Sequence, residues 1–253
     1  MLLACVAGLT AQAPAAEDQY LAYFGTATAR HTAKFLYGEH HVLKVRDGRL
    51  AERVVLYTCR DGTAFARKTV SYEDPLAPDF SFEDTSNGMQ EGVRSAAKGR
   101  EVFFRANRIE AEKAGRLPGD PGLVADAGFD EFIRMNWQPL MSGNPIALHF
   151  LVPSRLDAFV FQAQHLRSDS ADGTPTEIFR LKLSGVLGWV LPGIDVSYGA
   201  LDHVLVRYDG VSDLRDPSGN NFQTEILFHS SDRHPANAEL VAAARKAPIA
   251  ACK

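Results

Sequence analysis

Two Asp-Gly dipeptides set between alternating apolar runs constrain this chain more than any other feature. Asp47-Gly48 follows His41-Val42-Leu43-Lys44-Val45 and precedes Val54-Val55-Leu56-Tyr57. Asp61-Gly62 then separates that run from Ala64-Phe65-Ala66-Arg67-Lys68-Thr69-Val70. A tight hairpin turn needs φ > 0 at both central residues, and Asp-Gly meets that need at little steric cost. Two such turns in succession predict an antiparallel meander, with Tyr20 to Ala29 and Lys34 to Leu36 as the preceding strands.

From Glu73 to Gly99 the breakers Pro75, Pro78, Gly88 and Gly92 predict a long surface loop with one short strand at Phe80 to Glu83. Glu101 to Arg105 reads as a strand, and Gly115 to Gly122, with Pro118 and Pro121, as a second irregular stretch. Phe129, Phe132, Ile133, Trp137, Leu140 and Met141 then recur at helical spacing and form one apolar stripe. Asp126 is the expected cap, Gly143 lies just past the end, and Pro139 should kink the last turn.

After Pro145 five runs read as strands: Ile146 to Val152, Leu156 to Leu166, Thr176 to Ser184, Leu201 to Val211 and Phe222 to Phe228. Ala158-Phe159-Val160-Phe161 is apolar at every position, as expected of a central strand covered on both faces. Asp216-Pro217-Ser218-Gly219 has the residues of a type I turn joining the last two strands. Residues 237–253 read as a short helix, Ala238 to Lys246 behind an Asn237 cap, or as a loose tail.

Connections this short leave no room for crossover helices, so a doubly wound parallel sheet is excluded. The expected fold is mainly β (α+β): a strongly curved antiparallel sheet or open barrel wrapping one amphipathic helix, in a single domain over residues 17–236. With 15 Phe, 7 Tyr and 2 Trp the chain has ample core material, which excludes disorder. A formal charge of -4, with no basic stripe, argues against nucleic acid. No apolar run past the N-terminal segment is long enough for a membrane-spanning helix.

Residues 1–16 read as a signal peptide. They are uncharged and run from an apolar core, Leu2 to Leu9, to Ala13-Pro14-Ala15-Ala16 before Glu17-Asp18, although the usual basic start is missing. The expected location is periplasmic or secreted. Leu2-Leu3-Ala4-Cys5 resembles the bacterial lipobox, which would make Cys5 an acylated anchor and the protein lipid-anchored. Of the other cysteines, Cys59 and Cys252 are either a disulfide tying the tail to an early strand or two free thiols, one buried and one on a loose tail.

Chemistry-bearing motifs are absent. There is no G-x-S-x-G, G-x-G-x-x-G, Walker lysine loop, His-Glu-x-x-His or Cys-x-x-Cys, so no catalytic residue, metal site or cofactor is assigned. The adjacent His40 and His41 should point to opposite faces of a strand, one inward and one solvated. The oxygen-rich stretch from Asp213 to Asn221 lacks the ligand pattern of a calcium loop. Asp130-Glu131, Glu177 and Asp202 form no constellation, and a hydrolase would need Asp202, His203 and Glu177 to converge. Whether the protein is an enzyme stays open.

Val186 to Ile194, bearing Trp189, reads as an apolar loop that covers the end of the barrel, lines a pocket mouth or docks on a membrane face. Four features resemble exported DUF3108-type proteins and half-barrel lipoprotein carriers of the LolA/LolB type. They are Trp137-Gln-Pro-Leu-Met-Ser-Gly143, the paired strands from Ile146 to Leu166, the segment Leu205 to Phe228, and within it Leu205-Val-Arg-Tyr-Asp-Gly-Val211. The resemblance implies an unclosed barrel with a helical lid and an apolar cavity able to hold acyl chains; it assigns no functional residue.

The expected activity is therefore binding of a hydrophobic, lipid-like small molecule or an envelope protein segment, without catalysis. Large apolar residues on strands facing the helix, or at its mouth, are the candidate lining: Trp137, Phe159, Phe161, Phe179, Leu181 and Trp189. An exported structural or assembly protein without a ligand is the alternative.

Overall fold

The computed structural model describes residues 17–171, 173–185 and 193–252. The expected signal segment with Cys5, and Trp189, lie outside the described residues. Eight strands come first: β1 (Gln19–Ala29), β2 (Phe35–Arg46), β3 (Arg49–Thr58), β4 (Ala64–Ser71), β5 (Asp79–Asp84), β6 (Gln90–Ala96), β7 (Gly99–Arg105) and β8 (Lys113–Arg116). A short strand β9 (Leu123–Val124) leads into α1 (Gly128–Met135) and α2 (Trp137–Met141). The second half comprises β10 (Ile146–Val152), β11 (Asp157–Ala171), β12 (Thr174–Leu183), β13 (Ile194–Gly199), β14 (Leu205–Arg215), β15 (Asn221–Leu227), β16 (His234–Pro235) and α3 (Ala238–Lys246).

All the strands join one curved, unclosed sheet, in the order β8-β7-β6-β5-β4-β3-β2-β1-β15-β14-β13-β12-β11-β10-β9, with β16 beside β1. The chain thus builds two meanders. The first steps outward from β1, the helices cross to the far edge, and the second steps back until β15 pairs with β1. Every described pairing is antiparallel except β9 with β10. The two edges stay unpaired but approach through side chains: Leu151 and Leu156 pack with Val70, Phe80, Val93 and Val102.

Strand parity assigns the faces. Tyr23, Leu43 and Val55 enter the concave core, whereas their neighbours Ala22, Val42 and Val54 pack outward against Val241 and Ala244 of α3. Asn237 caps α3 through Oδ1, which accepts the Leu240 N–H at 2.9 Å. Cys59 and Cys252 are disulfide-bonded across 193 residues of sequence, and the Ala250 N–H donates to the Ala64 carbonyl at 2.8 Å. The tail is therefore part of the outer layer of the sheet.

Several local expectations are corrected. The loop expected over Glu73 to Gly99 holds the expected short strand as β5 and, beyond it, a second, unexpected strand, β6. Gly92 is there for close approach: a Cβ on it would lie 2.0 Å from the Phe80 carbonyl oxygen of the paired strand. Phe35-Leu36 and His41 to Val45 belong to one strand, β2, which leaves Lys34 outside it and whose Gly38 makes room for the Phe24 ring. Ile194–Gly199, taken as the end of an apolar loop and the connection after it, forms β13, and the following strand starts at Leu205 rather than Leu201. Residues around Ala158 are not covered on both faces, since Phe159 is 39% and Val160 44% exposed near the sheet edge. The amphipathic helix is two pieces that meet at Asn136. Pro139 has no N–H for the Met135 carbonyl and crowds it, which explains a break four residues upstream. Asp126 is not a side-chain cap; it adopts φ 45° ahead of α1 and turns its carboxylate into the core.

The disulfide closes a very long loop, so it restricts the unfolded chain strongly. Cys252→Ser should lower the unfolding free energy by about 2–5 kcal/mol in non-reducing buffer. Urea titration with and without reductant checks this: reductant should weaken the native protein and leave the variant unchanged.

Candidate functional site

Helix α1 lies over the concave face and leaves a cavity of about 230 Å³ beneath it. Alternation along β2 aims Tyr37, Glu39 and His41 into this space, and alternation along β3 aims Arg53, Val55 and Tyr57. Lys68 joins them from β4. The opposite wall is apolar, formed by Leu181, Ile194, Val196, Leu205, Ile226 and Phe228, with Phe129 and Phe150 alongside. One wall is thus rich in charge and hydrogen-bonding groups, and the other is mostly hydrocarbon, with Tyr208, Ser212 and Asp213 of β14 as its polar groups.

The charged wall is tied to the helix segment. The Lys68 ammonium donates to Asp126 and, at 2.8 Å, to Asp213 on β14. Arg53 donates to Asp130 at 3.1 Å, and the Tyr198 hydroxyl donates to the other oxygen of Asp130 at 2.8 Å. Burial works against the Lys68 ammonium, but the carboxylates of Asp126 and Asp213 outweigh it and hold Lys68 protonated well above the usual lysine range. Burial likewise opposes the Asp130 carboxylate, yet Arg53, Arg134 and the Tyr198 hydrogen bond keep its pKa below the ordinary value. His41 Nε2 lies 2.8 Å from Glu39 Oε2, and its ring stacks on Tyr23 at 4.4 Å. Burial outweighs the Glu39 contact and lowers the His41 pKa, so the ring is neutral near pH 7. His40, its neighbour, faces outward.

Of the residues expected to line a pocket, Leu181 does so. Trp137 and Phe179 are buried one layer away, their rings 5.0 Å apart and both edge-on to Tyr198. Phe161 is half-buried against Phe150, and Phe159 is exposed towards the strand end. Glu39, Arg53, Lys68, Asp126 and Asp130 carry the chemistry of the site, and sequence reasoning assigned none of them to it. Only Asp130 was considered there at all, as a carboxylate without partners.

The hydrolase arrangement is not assembled. His203 stacks on Trp137 at 3.7 Å, Asp202 accepts the Val204 N–H, and Glu177 lies elsewhere with His165 and Ser168. His165 Nε2 and the Ser168 hydroxyl both meet Oε2 of Glu177, so the imidazole is engaged by the carboxylate and does not orient the hydroxyl as a Ser-His pair would. No cluster of three or more metal-ligating side chains occurs among the described residues.

No family model matches the chain, and no curated protein matches it. Among solved structures, a domain from Vibrio parahaemolyticus described as a candidate outer membrane lipoprotein-sorting protein is similar at 8% identity. The match covers 87% of this chain and 86% of that one with a TM-score of 0.27. A DUF1329 family protein from Desulfovibrio piger is similar at 8% identity over 89% and 88% of the two chains, also with a TM-score of 0.27. Neither description is of the DUF3108 type.

Beyond the cavity floor, Glu91 on β6 is buried near Lys68 and Asp213, and its pKa is pushed up to about 8. Burial is the main cause, Asp213 adds repulsion and Lys68 opposes both. Between its ordinary 4.5 and about 8 the folded chain therefore binds more protons at Glu91 than the unfolded chain does. Stability from this group falls as pH rises through that window and levels off above it. Glu91→Gln should remove the slope and exceed the wild type in stability above pH 8. Urea midpoints measured across the window check this, and parallel curves for the two proteins would show that Glu91 is ionised in the fold.

Proposed function

We propose that this chain is an exported, envelope-associated binding protein that holds an amphipathic, lipid-like molecule beneath α1 and performs no chemistry on it. The cavity itself carries the reading: a mostly apolar wall from β12 to β15, whose polar groups are Tyr208, Ser212 and Asp213 of β14, faces a polar wall from β2 to β4, with the charges largely neutralised by the protein's own groups. Such a space favours a molecule with a hydrocarbon part and a few polar atoms. At about 230 Å³ it lies below the roughly 300–1,000 Å³ of drug-sized sites, which suits a single narrow chain. Pairing of Cys59 with Cys252 suits an oxidising compartment and so supports export. The working ligand surface is Leu181, Ile194, Val196, Leu205, Phe228 and Phe129, with Trp137 and Phe179 supporting it from behind.

The test is fluorescence titration with a hydrophobic dye, together with native mass spectrometry of gently purified protein. Leu205→Trp, which puts an indole into the cavity, should weaken dye binding by about tenfold or more, which is roughly 1.4 kcal/mol. Leu240→Trp, on the outer surface of α3, should leave it unchanged. Equal dye binding in the two variants, with no copurifying lipid, would refute the carrier role. Intact mass of the mature protein separates cleavage after residue 16 from acylation at Cys5.

A further inference from the structure

A second cavity of about 290 Å³ adjoins the first, and Arg53, Asp130 and Leu205 line both. Its wall gathers four guanidinium groups from separate parts of the chain: Arg49 at the start of β3, Arg53 further along it, Arg134 on α1 and Arg233 just before β16. Two carboxylates face them, and both are engaged. Asp130 receives Arg53 and the Tyr198 hydroxyl, and Glu131 receives Arg134 at 2.6 Å.

The remaining cations are not neutralised. Arg233 donates to the Leu205 carbonyl at 2.7 Å and lies 4.3 Å over the Tyr23 ring, and among the described residues no carboxylate comes within ion-pair distance of it. Asp202 acts on it only from further away. Arg49 has no ion-pair partner among the described residues either and reaches solvent at the rim. The buried Nε–H of Arg53 finds no acceptor. A partly buried guanidinium with no countercharge is costly, and its planar fork matches carboxylate and phosphate oxygens.

We infer that this arginine-lined antechamber is the head-group subsite for an anionic amphiphile, a carboxylate or phosphate on a single hydrocarbon chain. The chain runs past Leu205 into the inner cavity, and the head rests between Arg233, Arg49 and the free edge of Arg53. This rests on the carrier reading and adds the charge of the ligand to it.

Dodecyl phosphate, dodecanoate and dodecanol share one chain length and differ at the head, and inorganic phosphate supplies the head alone. By isothermal titration the two anionic amphiphiles should bind about tenfold or more tighter than dodecanol, and inorganic phosphate far more weakly. Arg49→Gln combined with Arg233→Gln should abolish that preference while dodecanol binding persists, and Arg233→Lys should restore part of it. Equal affinities of the wild type for all three chains would overturn the head-group subsite and leave the carrier role standing. Failure of every chain to bind would overturn both. Inorganic phosphate binding as tightly as dodecyl phosphate would overturn the amphiphile assignment in favour of a free-anion site.

Discussion

The architecture depends on a short helix that belongs to both halves of the sheet. Through Phe129, Phe132 and Ile133, α1 packs with Leu148, Phe179, Leu181 and Val196 of the second meander. Through Asp130, and through Asp126 just ahead of it, the same segment reaches Arg53 on β3 and Lys68 on β4 of the first meander. The apolar contacts stabilise without specifying direction, whereas the two ion pairs set where the helix lies. Breaking a buried pair by removing one partner typically costs about 3–5 kcal/mol, because the other charge is stranded. Replacing both partners with apolar groups would cost far less, so these pairs are better understood as positioning devices than as sources of net stability.

That placement explains why a cavity exists at all. A helix packed flush against both meanders would close the concave face with side chains. The acidic side of α1 instead meets long cationic side chains rising from β3 and β4, and the gap they span stays open beneath the helix. The two walls therefore differ in character for a structural reason: the first meander contributes the cations that tether the helix segment, and the second contributes most of the hydrocarbon surface on which it rests, with Tyr198 of β13 as a further tether to Asp130.

The outer face solves a different problem. A single curved sheet buries one face easily and exposes the other. Here α3 covers part of the convex side through Val241 and Ala244, and the Cys59–Cys252 bond holds the chain beyond it against the start of β4. The edges at β8 and β9 remain unpaired in the hydrogen-bonding sense, but aliphatic packing around Leu151 and Leu156 brings them together. The fold is thus a half-closed barrel sealed at one seam by side chains.

Much of this was legible locally. The Asp47-Gly48 turn, the turn from Asp216 to Gly219, the Asn237 cap and the strand Ile146–Val152 all follow from short-range stereochemistry, and so does the aromatic stripe that became α1 and α2. At Asp61-Gly62 the hairpin forms as expected, but only Gly62 has positive φ, because the loop there is longer and closes from Cys59 to Thr63. The strand around Gly92 was missed because a glycine that permits close backbone approach looks the same in sequence as one that ends a strand. The polar wall was illegible for a sharper reason. Because α3 covers the outer side of β1 to β3, both parities of Arg53-Val54-Val55-Leu56-Tyr57 are apolar apart from the arginine, and alternation could not say which face was inward. Nothing nearby in sequence supplies the partners of Arg53 and Lys68. The sequence by itself determined the turns, the strand texture and the amphipathic helix, because those depend on neighbours a few residues apart. Only the tertiary structure decided which charges are buried and paired and that a cavity remains, because Asp126 and Asp130 lie 58 and 77 residues along the chain from Lys68 and Arg53.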